Sequence, residues 1–415
     1  MKLTMKNIGV IRDAEIELDG ITVLAGFNGT GKSTVSKALY GVIAPYVNLS
    51  KKILEERKSS IKGTILFSFI VPVYGSVPHG ITETKQYLQL IDDLARKSLP
   101  IPERYEEWDS LLLFPLRESD STEVKERFPK FLEKLRNAVN RPDTEYAPYL
   151  AHEILKPVFG AKINTIGSPL PGEIALTIGE TMRRIKIQEN KVVACDGQEI
   201  NASRPVYLDA GHILDGLNEY QGLDKFNKIP PYIGELYRRL KASDSRPTFE
   251  EYKSRERIQD MIASVIRGKL TTSAFGDFMF KDDRFSEPIS LRNIASGNKT
   301  FAVLQRLIEN GALHENGVLI IDEPENNQHP EWQLKLAETL VLLHKELGVR
   351  IFLTTHSTYF LRAIEVYSDK YELSNRCHYY QTQPVDDNEN LFRIRNVDGQ
   401  TELIYRDFYL PFEEL

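Results

Sequence analysis

The run Gly26-Phe27-Asn28-Gly29-Thr30-Gly31-Lys32-Ser33-Thr34 fits the pattern G-x-x-x-x-G-K-[ST]. Its chemistry is the holding of a nucleoside triphosphate. Phosphate oxygens carry several negative charges and need many N–H donors converging on a small volume. Glycines let the backbone curl around them with no Cβ in the way, and a helix opening at Lys32 adds the positive end of its dipole. Asn28, Gly29, Thr30, Gly31 and Thr34 are the candidate cradle. Lys32 is the candidate contact to the β- and γ-phosphates, and the Ser33 hydroxyl a candidate ligand of Mg²⁺.

A second constellation is Val318-Leu319-Ile320-Ile321-Asp322-Glu323-Pro324. Four apolar residues read as a buried strand, and two acids stand at its C-terminal end, where open α/β sheets place their ligands. Asp322 is the candidate Mg²⁺ ligand and Glu323 the candidate general base for an attacking water. About thirty residues on, Ile351-Phe352-Leu353-Thr354-Thr355-His356-Ser357 is another buried strand, ending in a histidine. His356 is thereby a candidate to face the γ-phosphate.

The elements that must position these residues follow from periodicity. Leu3–Ile8 and Ala14–Leu18 read as strands, and Ile21–Ala25 as a buried strand feeding the phosphate loop. From Ser33, the apolar positions Val35, Ala38, Leu39 and Val42 recur at helical spacing. Helices are expected at Thr82–Lys97, Glu123–Val139, Tyr146–Val158, Tyr232–Ala242 and Phe249–Ile266. Between Glu173 and Ala194 the period switches to two, the mark of an antiparallel meander. Pro205–Leu208, Gly317–Ile321 and Arg350–Thr354 complete the strand expectations.

The chain has 415 residues, 41% hydrophobic and 27% charged, the balance of a globular protein with a core. No uninterrupted apolar run is long enough to cross a membrane. The first residues carry no signal-peptide core, so a cytoplasmic location without a membrane partner is expected. The net charge of −6 does not announce a nucleic-acid partner, although a local basic groove is compatible with it. Cys195 and Cys377 are far apart and form no C-x-x-C pair, which leaves no zinc hook within this chain.

The order of strand, phosphate loop, long intervening segment, Ser-Gly element, Asp-Glu strand and His strand resembles the ABC-type ATPases of the RecF/SMC/OLD-like branch, over roughly residues 1–45 and 285–385. The three motifs are similar to that family's Walker A, Walker B and H-loop. Ile294-Ala295-Ser296-Gly297-Asn298-Lys299 looks like its signature element, and Glu325-Asn326-Asn327-Gln328-His329-Pro330 like its D-loop region. The resemblance implies that Ser296, Gly297, Asn298 and Lys299 cap the γ-phosphate held by a second copy. The chain would then act as a homodimer, or a higher even oligomer, with ATP sandwiched between copies and Mg²⁺ as cofactor. Set against the transporter-type L-S-G-G-Q, the Ser-Gly pair is kept, while Ala295, Asn298 and Lys299 replace the leucine, second glycine and glutamine. Gln328 and Asn327 depart from the usual D-loop leucine and histidine.

The expected fold is α/β: an ABC-type P-loop NTPase head with a mixed, largely parallel sheet, an antiparallel β lobe and helical insertions. Residues 1–415 read as one head with core halves at 1–45 and 285–385. A helical insertion spans 46–160, an antiparallel lobe segment 161–230, a helical lobe leading to the signature 231–284, and a C-terminal tail 386–415.

The resemblance further implies slow or ordinary ATP hydrolysis. Transport is disfavoured, because Ser296 lies more than 250 residues after Lys32. The absence of sustained heptads excludes an SMC-like coiled-coil arm, and the roughly sixty residues after His356 are too few for an OLD-type TOPRIM nuclease. Relatives of this stripped-down layout, as in anti-phage defence modules, pair the ATPase with a separate effector protein. A RecF-like ATPase of DNA repair and a non-hydrolysing, ATP-stabilised scaffold are the alternatives. Arg12 is a candidate contact to adenine or ribose. Asp209, His212 and Asp215 read as a capped helix start rather than a metal site. Met182–Lys186 reads as a solvated basic strand face, and Cys377-His378-Tyr379-Tyr380 as part of a strand.

Overall fold

The computed structural model describes residues 1–74, 76–77, 80–112, 123–201, 204–209, 230–242, 249–385 and 388–413. His212 and Asp215 therefore lie outside the described residues. The chain forms two units, one of residues 1–47 and 151–415 and one of residues 48–150.

In the first unit, the alternating N-terminal residues form β1 (Lys2–Ile8) and β2 (Ile11–Glu17), which pair antiparallel around a turn with Asn7 and Gly9 at positive φ. The continuous apolar run forms β3 (Ile21–Ala25), buried on both faces, as a strand inside a parallel array must be. The period-two stretch forms the meander β4 (Gly172–Ile178), β5 (Thr181–Gln188) and β6 (Lys191–Asp196). The expected solvated basic face is corrected at one position. Arg183 points inward, 7% exposed, and donates to the carbonyls of Gln198 at 2.9 Å and of Thr181 and Glu199 at 3.3 Å. A buried guanidinium needs such acceptors, and the pleat turns Arg183 to the same face as Ile185.

The remaining strands are β7 (Val206–Asp209), β8 (Gly268–Thr272), β9 (Phe278–Asp282), β10 (Ile289–Ser290), β11 (Val318–Asp322), β12 (Arg350–Thr355), β13 (Cys377–Val385) and β14 (Asn388–Asn396). The main sheet has the order β6-β5-β4-β1-β2-β14-β13-β3-β12-β11-β7 among the described residues. Its parallel part decides where chemistry can happen. β3 pairs with β12 so that Ala25 faces Thr355, β12 with β11 so that Thr354 faces Asp322, and β11 with β7 so that Asp322 faces Asp209. The residues after β3, β11 and β12 thus leave the sheet at one edge.

After the phosphate loop that follows β3, α1 (Lys32–Ile43) packs against β11 and β12 of this sheet. The second unit is built from α2 (Leu49–Ile65), one π turn at Leu66–Ile70, α3 (Val71–Tyr74), α4 (Lys85–Arg96), α5 (Tyr105–Leu112), α6 (Glu123–Asn140) and the first half of α7 (Asp143–Val158). Its core gathers Ile61, Phe69, Leu94, Trp108, Phe131 and Leu135. Phe69 stacks on Phe131 at 4.8 Å, and the Trp108 ring meets Phe131 edge-on at 5.0 Å. The helix expected from Thr82 begins at Lys85. Thr84 takes an extended conformation as its cap and accepts the Tyr87 N–H, the usual behaviour of a threonine at that position. The buried Arg57 guanidinium pairs with the Asp143 carboxylate and donates to the carbonyls of Ala95 and Arg141.

Back in the first unit, α8 (Pro231–Lys241) and α9 (Phe249–Ala263) precede the three-stranded antiparallel sheet β10-β9-β8; β8 and β9 fall within the stretch 231–284 expected as a helical lobe, which is therefore helical only in its first part. Leu270, Phe278 and Phe280 of that sheet share a core with Leu240, Ile262 and Phe301. Then come α10 (Ser296–Glu309), α11 (Pro330–Leu347), α12 (Thr358–Lys370) and α13 (Glu402–Glu413). Caps set where α11 and α12 start. His329 accepts the Glu331 N–H ahead of Pro330, and Ser357 accepts the Phe360 N–H at 3.1 Å. Among the described residues, no helix is long and apolar enough to cross a membrane.

Candidate active site

The phosphate loop is a tight construction. A Cβ on Gly26 would stand 2.0 Å from Thr382 Oγ1, and one on Gly31 2.5 Å from Ile11 Cδ1. Gly29 and Gly31 hold φ of 80° and 95°, a region that side chains disfavour. Thr30 Oγ1 donates to the Phe27 carbonyl at 2.8 Å and accepts from Thr382 Oγ1 at 2.9 Å, so its side chain braces the loop from inside. Asn28 and Gly29 form the exposed tip. Arg12 is exposed beside Ile11, the residue that closes against Gly31.

Lys32, 4% exposed, donates from Nζ to the carbonyls of Gly26 at 2.9 Å and Phe27 at 3.1 Å. The same nitrogen lies 3.2 Å from Glu323 Oε1. The loop lysine and the acid of the second motif, nearly three hundred residues apart in sequence, thus form an ion pair.

Asp322 is buried at the end of β11. Its Oδ1 accepts from Thr354 Oγ1 at 2.5 Å and from Ser36 Oγ at 3.3 Å, and its Oδ2 from Tyr207 OH at 3.4 Å. Three elements, α1, β12 and β7, therefore aim one carboxylate. Burial, with the Asp322 charge beside it, raises the Tyr207 phenol well above its ordinary pKa, so it stays a donor. Tyr207 packs against Tyr232 at 4.5 Å and, edge-on, against Tyr40 at 6.2 Å.

Glu323 sits at φ 50°, a strained conformation of the kind that clusters at functional sites. Its N–H donates to Thr354 Oγ1 at 3.1 Å. Oε2 accepts from Asn326 Nδ2 at 2.9 Å, and Oε1 stands 3.5 Å from His356 Nδ1. Burial pushes the Glu323 carboxyl up, but the Asn326 hydrogen bond and the Lys32 charge outweigh it and bring the pKa below the usual glutamate value. At neutral pH the group is a carboxylate, the form a general base needs.

Lys32, Asp322, Glu323 and His356 therefore meet at one sheet edge. The Ser33 hydroxyl lies in the first turn of α1, in the same stretch as Ser36. A hydroxyl and a carboxylate form a hard oxygen donor set, which fits Mg²⁺ completed by phosphate and water oxygens. No group of three or more His, Cys, Asp or Glu side chains suited to a metal exists among the described residues. A cavity of about 300 Å³ opens between Phe27 and Asn28 on one side and His356 and Ser357 on the other, with Phe408 and Tyr409 of α13 lining it. Phe408 meets the Phe27 ring edge-on at 5.2 Å.

The element Ser296-Gly297-Asn298-Lys299 lies in the segment before β11. It opens α10, and a Cβ on Gly297 would lie 3.0 Å from the Trp332 ring and 3.5 Å from the Asn327 carbonyl. A larger cavity, about 580 Å³, lies at the start of β13, away from the phosphate loop, and includes His378 and Asp398, paired at 2.9 Å.

The geometry shows contributors that motif spacing did not mark: Ser36, Tyr207, Thr354, Thr382 and Phe408. Ser36 follows Lys32 by one helical turn, a signal a helical reading could have used. Tyr207 and Thr382 come close only through strand pairing.

Residues 2–104 match a family model described as "AAA domain", and residues 199–362 one described as "AAA domain, putative AbiEii toxin, Type IV TA system". The first stretch holds the phosphate loop, and the second holds Ser296–Lys299, Asp322, Glu323 and His356. No curated protein matches the chain in sequence. Solved structures similar to it include an SMC head bound to the C-terminal winged-helix domain of ScpA, at 10% identity and a TM-score of 0.46 over 97% of this chain and 98% of that one. Two others are the SMC head domain from Thermotoga maritima (10% identity, TM-score 0.38, 95% and 98% covered) and a Pyrococcus furiosus SMC head with an extended coiled coil, bound to the C-terminal domain of ScpA (8%, 0.43, 98% of each).

Proposed function

We propose that this ABC/SMC-like ATPase head hydrolyses ATP with Mg²⁺, that two copies close on two nucleotides, and that the closed dimer controls a separate effector protein in anti-phage defence. The observation that carries the first part is the Lys32–Glu323–His356 cluster beside Asp322, at the mouth of a loop that leaves no room for a Cβ at Gly26 or Gly31.

Lys32 is held by two carbonyls and Glu323; a triphosphate in the loop draws its ammonium to the β- and γ-oxygens and frees Glu323 Oε1. Glu323, ionised and steadied by Asn326, then accepts a proton from the attacking water. His356 faces the same space and donates to the γ-phosphate. Ser33 and Asp322 would hold Mg²⁺, which would supply charge neutralisation to the triphosphate.

Dimerisation is carried by the resemblance of Ser296-Gly297, at the start of α10, to a signature element that caps a second copy's nucleotide. Capped by a second copy, each nucleotide receives the N-terminus of the partner's α10 in addition to that of its own chain's α1. The effector and the defence role rest on the resemblance of layout alone.

Phosphate release by the purified chain tests the first part. Turnover that requires Mg²⁺ and is abolished by Lys32→Ala and Glu323→Gln supports it. Bound ATP that is never hydrolysed contradicts it and leaves a scaffold. Co-purification with the neighbouring gene's product tests the last part; an unaltered phage resistance in a Lys32→Ala strain refutes it.

A further inference from the structure

Glu325 is 4% exposed, a burial that acidic residues rarely undergo without a strong reason. Its Oε1 accepts from Thr355 Oγ1 at 2.6 Å and from the His356 backbone N–H at 3.0 Å, and lies 3.6 Å from His356 Nδ1. Oε2 has no hydrogen-bond partner among the described residues. Burial raises its pKa above the usual glutamate value. A group that costs this much to bury stabilises the fold poorly compared with an apolar side chain, so its effect must lie in the geometry it imposes.

That geometry links two strand ends. Glu325 belongs to the turn that carries Glu323 at φ 50° and Asn327 at φ 59°, and the Gln328 N–H closes the turn on the Glu325 carbonyl at 3.1 Å. On the other side, Thr355 Oγ1 accepts the Ser357 N–H at 3.0 Å, and Ser357 caps α12. One carboxylate oxygen therefore ties the turn bearing Glu323 to the backbone of His356.

We infer that Glu325 is a positioning residue for hydrolysis: through the Thr355 hydroxyl and the His356 N–H it fixes the spacing between Glu323 and His356 when Lys32 transfers to the nucleotide. The inference rests on the ATPase reading above. It concerns the chemical step and leaves nucleotide binding to the loop.

The test uses the full chain and measures kcat, KM, the dissociation constant for Mg²⁺-ATP and thermal stability. Losing a buried charged acceptor is worth about 1.5–3 kcal/mol, so Glu325→Ala is expected to lower kcat by about 10- to 150-fold, with nucleotide affinity unchanged within about two-fold. Glu325→Gln keeps an acceptor oxygen for both donors and should retain about a third of parental kcat or more. The double variant Glu325→Ala/His356→Ala should lose no more than His356→Ala alone, because residues acting as a unit are non-additive. Thr355→Val removes one donor at constant shape and reads the same effect, several-fold in kcat, should Glu325→Ala fail to fold. Parental kcat in Glu325→Ala or Thr355→Val overturns the inference. So do losses that add to those of His356→Ala, or a fall in affinity and melting temperature that accounts for the whole defect. A parent chain without turnover instead overturns the ATPase reading, and this inference with it.

Discussion

Thr354→Val removes a single hydroxyl at constant shape, and the structure says what depends on it. Thr354 is fully buried, donates to Asp322 Oδ1 at 2.5 Å and accepts the Glu323 N–H at 3.1 Å. The other donors to Asp322, Ser36 at 3.3 Å and Tyr207 at 3.4 Å, are too long to replace it. A hydrogen bond to a charged group is worth about 1.5–3 kcal/mol, and an orphaned buried N–H costs about 1–3 kcal/mol. If about 2–3 kcal/mol of this is felt by the Mg²⁺ ligand and the base in the transition state, kcat/KM falls roughly 30- to 150-fold. The half-saturating Mg²⁺ concentration should rise as well. Thr354→Ser, which keeps the hydroxyl, should stay within about three-fold of parent. The assay is phosphate release across a Mg²⁺ titration, with nucleotide binding measured separately. Parental turnover and an unshifted Mg²⁺ dependence in Thr354→Val would refute the view that β12 orients the acidic pair.

Gly26→Ala should weaken ATP binding at least about ten-fold, because its Cβ would stand 2.0 Å from Thr382 Oγ1; Gly26→Ala/Thr382→Ala should recover much of the loss in a nucleotide titration. Trp108→Ala should destabilise the residue 48–150 unit by about 3–5 kcal/mol, read as an earlier unfolding step in a denaturant melt, since the ring is fully buried against Phe69 and Phe131. Burial pushes the Cys377 thiol up to about 11, against roughly 8.5 in an unfolded chain. The folded state therefore holds that proton more tightly, and its contribution to stability is complete below about pH 8.5 and lost as pH rises towards 11. At pH 8, iodoacetamide should label Cys377 roughly 200-fold more slowly in the folded chain than in urea; equal rates would contradict its burial.

The three motif-bearing strands were legible because each is an uninterrupted apolar run of about strand length that stops at a reactive side chain, and burial on both faces admits only the middle of a parallel array. Parallel pairing in register then brings their ends to one edge, as Ala25, Asp322 and Thr355 show. The braces were not legible. Thr354 lies inside the run that ends at His356, yet nothing in its spacing says that β11 will stand beside it with Asp322 opposite. Tyr207 looks like an ordinary aromatic of a short strand until β7 joins the far side of β11. Phe408 reaches Phe27 only because α13 folds back to the phosphate loop, a long-range contact that helical periodicity cannot announce. Arg183 shows the reverse error. An alternating basic strand looks solvated, but one residue of it turns inward to satisfy backbone carbonyls.

In the proposed mechanism one triphosphate is gripped by Lys32, Asp322, Glu323 and His356 and closed by Ser296-Gly297 from a second copy. Light scattering on Glu323→Gln, with and without Mg²⁺-ATP, tests this most directly, because that variant should bind nucleotide and stall before hydrolysis. The expected result is a shift from the 47.5 kDa monomer to twice that mass on adding ATP, abolished by Lys32→Ala or by Ser296→Arg. A Glu323→Gln chain whose mass ignores ATP, or that doubles equally well with Ser296→Arg, would contradict it.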